Sequence, residues 1–457
     1  MTAASKDEFK ILTPAGILGY GVREADFMRG IEAGADAVVV DAGSTDPGPY
    51  LLGLSKMIVS KQALERDLRS ILKVCAPRKI PLLIGSAGGP GIAQHVNETI
   101  GMIGRIAEDL GLKLKVAAIY ADVEAETVTK RFNAGRITPC ASAPALQQRD
   151  IDDSVQIVAQ MGEEPFIDVL REHPDVDVIV AGRAYDPAPF AALCARRNID
   201  PGTYWHMGKI MECGAVCAEP KGGVILATIR PGSFDLEPMD PKARCTMLSV
   251  AAHTLYEKTR PDLLSGPGGV LDLRNSKYEQ LDARRVRVSG SEFRPSEKYQ
   301  VKLEGAALAG YRTIFIGGIR DPILIGQLDE FLERVQTRAK AAFPPLATGE
   351  AKIIFHVYGK NGVMGATEPL LNVVPHEVGL LCEVTASSQD VANAICSLVR
   401  IGVLHLDYPG QVATAGNFAL PLNPPENPIG PVFRFSLYHL MEVESPQELF
   451  RSRIVEF

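Results

Sequence analysis

Residues 35–43 read ADAVVVDAG, an apolar, β-branched run that ends in an aspartate and a small turn. A run that is apolar on both faces is typical of a buried strand. Comparable runs follow at IPLLIG (80–85), KLKVAAIYAD (113–122) and VDVIVAG (176–182). A chain that alternates such strands with amphipathic helices is expected to form parallel βαβ units.

The segments between these runs carry the helical spacing that a βαβ unit requires. Ser60 is suited to capping a helix whose apolar residues recur from Leu64 to Leu72, and residues 92–111 show the same periodicity. The sequence therefore predicts an α/β fold: a Rossmann-like, mostly parallel sheet with flanking helices. A (β/α) barrel core is the alternative, which we disfavour because no eightfold count of strands and helices is apparent.

The chain is expected to divide after residue 345. A helix predicted over 321–343 ends before Pro344, and PPLATGE (344–350) has the composition of a linker. Strand-like runs (KIIFHVYG, GLLCEVTA, VFRFSLYHLM) and a helical run (QDVANAICSLVRIG) follow. We predict an α/β domain over residues 1–345 and a small α+β domain over residues 346–457.

The bulk composition excludes several classes of function. The chain has 457 residues, 46% of them hydrophobic and 23% charged, with a formal net charge of −7. No basic region indicates a nucleic-acid partner, and no run reaches the ~20 apolar residues of a membrane span. The N-terminus lacks a secretory pattern, and the eight scattered cysteines are typical of reduced thiols, so a cytoplasmic location is expected. A homo-oligomer is the base-rate expectation.

In parallel α/β sheets, ligands bind beyond the carboxyl ends of the strands, and the loop DAGSTDPGPY (41–50) lies there. Asp41, Ser44 and Asp46 are candidates for binding a substrate. The alternative is that these side chains only hydrogen-bond the backbone of their own loop.

A second loop, GSAGGPG (85–91), joins a predicted strand to a predicted helix. Its small residues and backbone N–H groups favour an anion, so Ser86, Gly88 and Gly89 are predicted to bind a phosphate or carboxylate. The loop matches neither the GxGxxG pattern nor the P-loop.

A third loop, AGRAYDPAPF (181–190), follows the strand VDVIVAG. Arg183 is suited to pairing with an anionic group, and Asp186 to acid–base chemistry. Asp186 is also explained as the N-cap of a helix that starts at Pro187.

The stretch TYWHMGKIMECGAVC (203–217) concentrates a histidine, a glutamate and two cysteines. A structural zinc bound by His206, Cys213 and Cys217 is disfavoured, because the CxxxC spacing has no second ligand pair nearby. Glu212, held among methionines, would have a raised pKa, as a general acid or base requires. A partly buried turn with inert thiols explains the same residues.

The remaining candidates carry little weight. His253 and Glu257 are i, i+4 neighbours that we interpret as a surface pair, and His356, Glu368 and Asn417 lie in turn-rich loops. No HExxH, GxSxG, nicotinamide or flavin signature is present. We therefore predict no cofactor and no metal ligands, with a divalent metal, or CoA as part of the substrate, as alternatives.

A series of motifs occurs in one order along the chain: DAGSTDPGPY, GSAGGPG, GRAYDPAPF, HMGKIMECGAVC, SGPGGVLDL, YGKNGVMGATEP and YPGQVATAGN. Together these motifs resemble the acyclic terpene utilisation (AtuA-like) family, formerly a domain of unknown function. The resemblance extends from about residue 10 to the C-terminus. Its last part is similar to the ferredoxin-like domain that accompanies this family.

The resemblance implies a metabolic enzyme with residues 1–345 as its catalytic domain. The family takes its name from gene clusters that degrade citronellol and geraniol through CoA thioesters, so the implied substrate is a carboxylic acid or acyl-CoA, not necessarily a terpene. The implied reaction is hydration, isomerisation or C–C cleavage. The Glu212–Cys213 pair and the acid at Asp186 match the family's motifs, which favours all three as catalytic residues.

The preferred hypothesis is a cofactor-independent lyase, hydratase or isomerase. Glu212 or Asp186 would move a proton α to a carbonyl group, with Cys213 as a proton donor or a supporting residue. Arg183 and the 85–91 turn would hold the anionic end of the substrate, and backbone N–H groups would stabilise the enolate.

Two alternatives belong to other classes. In a metal-dependent enzyme, Asp41, Asp46 and Asp186 would bind Mg²⁺ or Mn²⁺ through oxygen ligands. In a non-catalytic subunit, the same loops would bind an acid or CoA for a partner.

Overall fold

The computed structural model describes residues 8–255, 260–414 and 417–457. The strands are, in chain order, β1 (Phe9–Thr13), β2 (Ala37–Asp41), β3 (Leu82–Gly85), β4 (Lys115–Ile119), β5 (Ile137–Pro139), β6 (Ser154–Gln160), β7 (Val178–Ala181), β8 (Ala218–Glu219), β9 (Ile225–Arg230), β10 (Ser233–Pro238), β11 (Arg244–Cys245), β12 (Leu263–Gly266), β13 (Gly269–Asp272), β14 (Lys277–Gln280), β15 (Val286–Ser289), β16 (Glu292–Pro295), β17 (Gln300–Ile319), β18 (Lys352–Tyr358), β19 (Val378–Ala386), β20 (Asn427–Glu442) and β21 (Ser452–Glu456).

The helices are α1 (Glu24–Glu32), α2 (Tyr50–Leu54), α3 (Lys61–Cys75), α4 (Ala93–Leu110), α5 (Ala125–Asn133), α6 (Gln148–Asp152), α7 (Glu164–Glu172), α8 (Ala188–Ala195), α9 (Pro201–Met211), α10 (Met247–Thr254), α11 (Pro322–Gly326), α12 (Leu328–Ala342), α13 (Pro344–Thr348) and α14 (Gln389–His405). Short 3₁₀ segments lie at Ala76–Arg78, Gly214–Cys217 and Gly365–Thr367. Within the described ranges, no helix is both long and apolar enough to cross a bilayer.

A ten-stranded mixed sheet confirms the predicted α/β class, with the strand order β14-β15-β10-β9-β1-β2-β3-β7-β4-β21. Its central strands, β1-β2-β3-β7-β4, pair in parallel. Antiparallel pairs, β1 with β9 and β4 with β21, extend the sheet on both sides. This mixed order does not establish the finer description as a Rossmann-like sheet, nor the barrel alternative.

Each central strand contributes side chains to two cores, because successive residues of a strand point to opposite faces. Ile11, Val39 and Ile179 pack on one face with side chains of α7, α8 and α9. Leu12 and Val38 pack on the other face with α1, α3 and α4. Helices therefore cover both faces of the sheet. This agrees with the sequence of the central strands, which is apolar on both faces and so must be buried on both.

The chain divides into two compact units, Met1–Ala307 with Phe435–Phe457 (unit 1) and Leu308–Arg434 (unit 2). These limits differ from the predicted division after residue 345. The reason is that the long strands β17 and β20 contribute residues to both units. In addition, β21 pairs with β4 in unit 1, so the chain returns to the first unit before it ends.

In unit 2, β19 lies between β18 and β17 and is antiparallel to both. Side chains of α12 and α14 pack on one face of this sheet and form its core with Phe315 and Leu380. The runs predicted after residue 346 are found as β18, β19, α14 and β20. The ferredoxin-like description of this part stays a prediction.

Candidate active site

The carboxyl ends of the parallel strands bring three predicted loops together. Asp41, the last residue of β2, lies opposite Gly85 of β3. A Cβ atom at Gly85 would lie 3.6 Å from Asp41 Oδ1, so the carboxyl group projects over the end of β3. Just after β7, Arg183 donates from Nη1 to Ser86 Oγ at 3.1 Å. Asp41, Ser86 and Arg183 therefore share one edge of the sheet.

Helix α9 is buried from Gly202 to Met211. Its start is fixed by Asp200, whose side chain accepts a hydrogen bond from the Thr203 N–H, and by Pro201 in the first turn. A Cβ atom at Gly208 would lie 2.8 Å from Pro187 Cβ, at the start of α8. Glycine at this position therefore allows a close approach between α8 and α9.

The end of α9 presents an ion pair. Lys209 Nζ lies 2.6 Å from Glu212 Oε1, and the two side chains are only 7% and 6% exposed. Gly214, with a φ of +63°, then turns the chain away from the helix axis. The charge of the Glu212 carboxylate contributes to the raised pKa of Asp41, so the two acids influence each other electrostatically.

The electrostatic surroundings of Asp41 favour its neutral form. Burial raises the pKa of Asp41 well above its usual range, and the carboxylates of Asp186 and Glu212 raise it further. Arg183 and a hydrogen bond from the Gly43 N–H act in the opposite direction. Among the described residues, Oδ1 of Asp41 has no hydrogen-bond partner. A neutral carboxyl group in such a site retains a proton that it can donate.

Arg183 is the fixed cation of the site. Its Nε donates to Glu304 Oε2 at 2.8 Å, and its Nη1 donates to Asp186 Oδ1 at 3.0 Å. Burial alone would raise the pKa of Glu304, but Arg183 and Lys302 lower it to about 2. The guanidinium therefore holds Asp186 in place. A direct contact between Arg183 and a substrate anion stays a prediction.

The family model "Acyclic terpene utilisation family protein AtuA" matches residues 59–414, which is most of the chain. The chain belongs to the acyclic terpene utilisation family. The resemblance seen in the sequence motifs is thereby confirmed. The matched segment contains Arg183, Asp186, Lys209 and Glu212, whereas Asp41 precedes it. No curated protein and no solved structure matches the chain significantly.

In this AtuA-family chain, the glycine turn 85–91 is buried against other parts of the protein. A Cβ atom at Gly88 would lie 2.7 Å from His95 Nδ1, and one at Gly91 would lie 2.1 Å from the Arg183 backbone nitrogen. Close packing between loops is therefore sufficient to explain these glycines.

The helix that follows the turn already has an anionic partner within the protein. The N–H of Ala93, in the first turn of α4, donates to Asp122 Oδ2 at 2.7 Å. This carboxylate interacts favourably with the helix N-terminus, as the predicted ligand would. Binding of a substrate anion by Ser86, Gly88 and Gly89 stays a prediction.

In the loop after Asp41, a side chain hydrogen-bonds the backbone of its own loop, which is the alternative to substrate binding that was given for residues 41–50. The Asp46 N–H donates to Ser44 Oγ at 3.2 Å, and Asp46 is exposed whereas Asp41 is buried. In the described part of the chain, no group of three or more His, Cys, Asp or Glu side chains is arranged to hold a metal ion. The metal-dependent alternative with Asp41, Asp46 and Asp186 stays a prediction.

Two residues of the 203–217 stretch have structural partners. His206 Nδ1 lies 2.6 Å from Ser291 Oγ and its Nε2 lies 3.2 Å from Thr254 Oγ1, while burial lowers its pKa to about 3. Cys217 Sγ lies 4.0 Å from Cys245 Sγ. This contact, together with burial, raises the pKa of the Cys217 thiol. Both residues are therefore explained as parts of the core.

Cys213 lies between the ion pair and the loop after β1. It is partly buried, and a Cβ atom at Gly16 would lie 2.8 Å from its carbonyl oxygen. The catalytic role predicted for Cys213 stays a prediction.

Among the minor candidates, His253 is buried in α10, so its interpretation as a surface residue was wrong. Its predicted partner Glu257 lies outside the described residues.

Sequence reasoning missed three residues of the site: Thr13, Glu304 and Lys209 as the partner of Glu212. Lys209 had a signal, since it lies three residues before Glu212 in a helical stretch. Glu304 also had a signal, because a single acid inside the apolar run LEGAALAG (303–310) requires a buried partner. Thr13, which ends β1, is fully buried, and its Oγ1 has no hydrogen-bond partner within the described residues. Nothing in its sequence context marked it.

Proposed function

We propose that this AtuA-family protein is an enzyme that removes and returns a proton next to the carbonyl group of a carboxylic acid or acyl-CoA thioester. The reaction belongs to the lyase, hydratase or isomerase classes. One observation carries the proposal: burial and the charges of Asp186 and Glu212 raise the pKa of the Asp41 carboxyl group, while Glu212 is itself a carboxylate paired with a buried lysine, Lys209. Two carboxyl groups whose surroundings favour opposite protonation states are the usual mark of an acid–base pair.

Glu212 is the general base in this proposal. It takes the proton from the carbon next to the carbonyl and becomes neutral. The ammonium group of Lys209, which faces Glu212 at 2.6 Å, then interacts with the negative charge that has moved onto the substrate. In a buried site this interaction is stronger than in water, because the effective dielectric constant is lower.

Asp41 donates a hydrogen bond from its neutral carboxyl group to the developing enolate oxygen. This role requires a proton on Asp41 at neutral pH, which its burial and the nearby carboxylates favour. Glu212 then returns the proton that it has taken to the substrate carbon, which restores its carboxylate. Asp186, whose side chain is 23% exposed and is held by Arg183, supports the neutral form of Asp41 through its negative charge.

The substrate class rests on two supports. Family membership connects the chain with the use of acyclic terpenes, and the site combines cations with acid–base groups. A carboxylate or thioester carbonyl is the group whose α-hydrogen such a site would activate. The finer choice between acid and acyl-CoA follows from the experiment below.

Exchange of α-hydrogens in D₂O tests the proposal without knowledge of the full reaction. The purified protein is incubated with a panel of acyl-CoA thioesters and carboxylic acids, and deuterium uptake is measured by mass spectrometry. We expect wild-type protein to label one class of compound and Glu212→Gln to label it at least ~100-fold more slowly, the usual scale for a general base. Glu32→Gln, an exposed glutamate on α1, is the matched control and should retain full activity.

Two results would oppose the proposal. Full exchange by correctly folded Glu212→Gln would exclude Glu212 as the base. Binding of an acyl-CoA, seen as a rise in Tm, with no exchange in any compound would instead support the non-catalytic subunit, because a ligand stabilises the native state whether or not it reacts.

A further inference from the structure

Unit 2 presents an unusually apolar surface segment. In residues 361–375, NGVMGATEPLLNVVP, the only charged residue is Glu368. Exposure is 86% for Val363, 70% for Leu371 and 83% for Val374. We call residues 361–375 the apolar segment; its large side chains that are exposed by half or more are Val363, Met364, Leu370, Leu371, Val373 and Val374.

The apolar segment lines a groove rather than a flat surface. The groove has a volume of about 480 Å³, and Ile325, Gly326 and Lys360 contribute to it together with the segment. Apolar side chains predominate in its lining, and Lys360, one of its two charged lining residues, already contacts the exposed Asp329 at 2.9 Å. A low content of charged residues is typical of the centre of a protein–protein interface.

The apolar segment continues an exposed sheet edge. Strand β18 ends at Tyr358, just before the segment, and lies at the end of its sheet. Ile354 and Tyr358 on this strand are 45% and 50% exposed. Edge strands with apolar side chains promote association unless another element covers them.

We propose that a second copy of this chain covers the apolar segment in a two-fold symmetric dimer. The six large side chains of the segment expose on the order of 700 Å², more than the ~300–600 Å² of the largest apolar patch on a typical monomer and close to the ~800 Å² that each partner contributes to a standard interface. The area is therefore that of one half of a stable dimer interface.

The low charge of the segment agrees with burial against a second copy. Glu368 is its only charged residue, and Lys360, which precedes the segment and lines the same groove, is already paired with Asp329 at 2.9 Å. In a two-fold interface the same patch of each copy meets the other, so a patch with few charges leaves few of them to be desolvated. A membrane surface fits less well, because helices and loops that bind bilayers usually carry several Lys or Arg residues beside their apolar side chains.

Sedimentation velocity over a range of protein concentrations tests the proposal. Wild-type protein should sediment with at least twice the 49.3 kDa mass of the chain, and Leu371→Asp should lower that mass. Leu248→Asp is the matched control: Leu248 is 76% exposed on α10 in unit 1, against 70% for Leu371, and this variant should keep the wild-type mass. Val374→Asp repeats the test at a second site of the segment.

Each outcome decides the proposal. A lower mass for Leu371→Asp and Val374→Asp, with wild-type circular dichroism and an unchanged mass for Leu248→Asp, supports it. A monomeric wild-type protein at all concentrations overturns it, and so does an oligomer whose mass neither segment variant changes. A monomer that binds lipid vesicles through the segment overturns it in favour of a membrane surface.

Discussion

At the residue scale, Asp41 and Glu212 show how position alone gives two carboxyl groups different properties. Both side chains are 6% exposed. Glu212 faces the ammonium group of Lys209 at 2.6 Å, whereas Asp41 has an Oδ1 atom with no hydrogen-bond partner in the described ranges. A carboxylate paired directly with a cation is stabilised in its charged form, whereas at Asp41 burial and the neighbouring carboxylates outweigh Arg183 and stabilise the neutral form.

A second buried acid, Glu163, gives a prediction with a defined pH window. Burial and the neighbouring Glu164 raise the pKa of Glu163 from 4.5 to about 8. The Tyr204 hydroxyl donates to Glu163 Oε1 at 3.2 Å. Because the folded-state pKa lies above the unfolded-state value, the native protein binds more protons between these pH values, and its stability must fall as the pH rises through this window.

Glu163→Gln should remove this part of the pH dependence. Glutamine keeps an oxygen that accepts the Tyr204 hydrogen bond but does not titrate. The free energy of unfolding, measured in urea at a series of pH values, should therefore fall less steeply with pH in Glu163→Gln than in wild type between pH 4.5 and about 8. Glu32→Gln, the exposed control, should follow wild type; identical slopes for all three proteins would contradict the prediction.

At the scale of elements, sequence reasoning predicted four of the five parallel strands, because each of the four has a clear local sequence pattern; β1 was not predicted. β2, β3, β4 and β7 are apolar, β-branched runs that end in a turn. The antiparallel strands of the ten-stranded sheet were not predicted, since their pairing depends on partners far along the chain: Ile454 of β21 lies opposite Ala117 of β4. Such pairs leave no local periodicity from which the sheet order follows.

The contrast between local sequence patterns and contacts with distant residues also explains how much of the site was predictable. Asp41, Arg183, Asp186 and Glu212 follow strands or end a helix in recognisable motifs, and the structure places them together. The partner of Arg183 was not predictable, because Glu304 is contributed by β17, 121 residues further along the chain.

The approach of α9 to α8 gives a prediction at this scale. Gly208→Ala adds a methyl group 2.8 Å from Pro187 Cβ, where the backbone of one of the two helices must shift. Overpacking of this kind costs about 1–3 kcal/mol, which should exceed the ~1 kcal/mol that alanine gains over glycine inside a helix. Gly208→Ala should therefore unfold at lower urea concentration and, because Lys209 and Glu212 move with α9, exchange α-hydrogens more slowly.

Gly101 in α4 is the matched control for Gly208. A Cβ atom at Gly101 would find its nearest neighbour, Arg105 Nη1, at 3.8 Å. Gly101→Ala should therefore stabilise the protein by up to ~1 kcal/mol without changing activity. If Gly208→Ala were as stable and active as Gly101→Ala, close packing of α9 on α8 would not be what positions the ion pair.

At the scale of the whole molecule, the candidate site is assembled from distant parts of unit 1. Asp41 comes from β2, Arg183 follows β7, Glu212 ends α9 and Glu304 lies in β17. The parallel order of the central strands places their carboxyl ends at one edge, which is where ligands of α/β proteins bind. The segment that matches the acyclic terpene utilisation family, residues 59–414, includes Arg183, Glu212 and Glu304 but not Asp41.

Opposite protonation states of Asp41 and Glu212 are what the proposed proton transfer requires, and infrared difference spectroscopy reads them directly. The spectrum of wild type minus Asp41→Asn, recorded at neutral pH, should contain the C=O stretching band of a neutral carboxyl group. Wild type minus Glu212→Gln should contain carboxylate bands, because Lys209 holds Glu212 ionised. A carboxylate signal from Asp41 at neutral pH would contradict its role as the hydrogen-bond donor to the enolate, and with it the proposed mechanism.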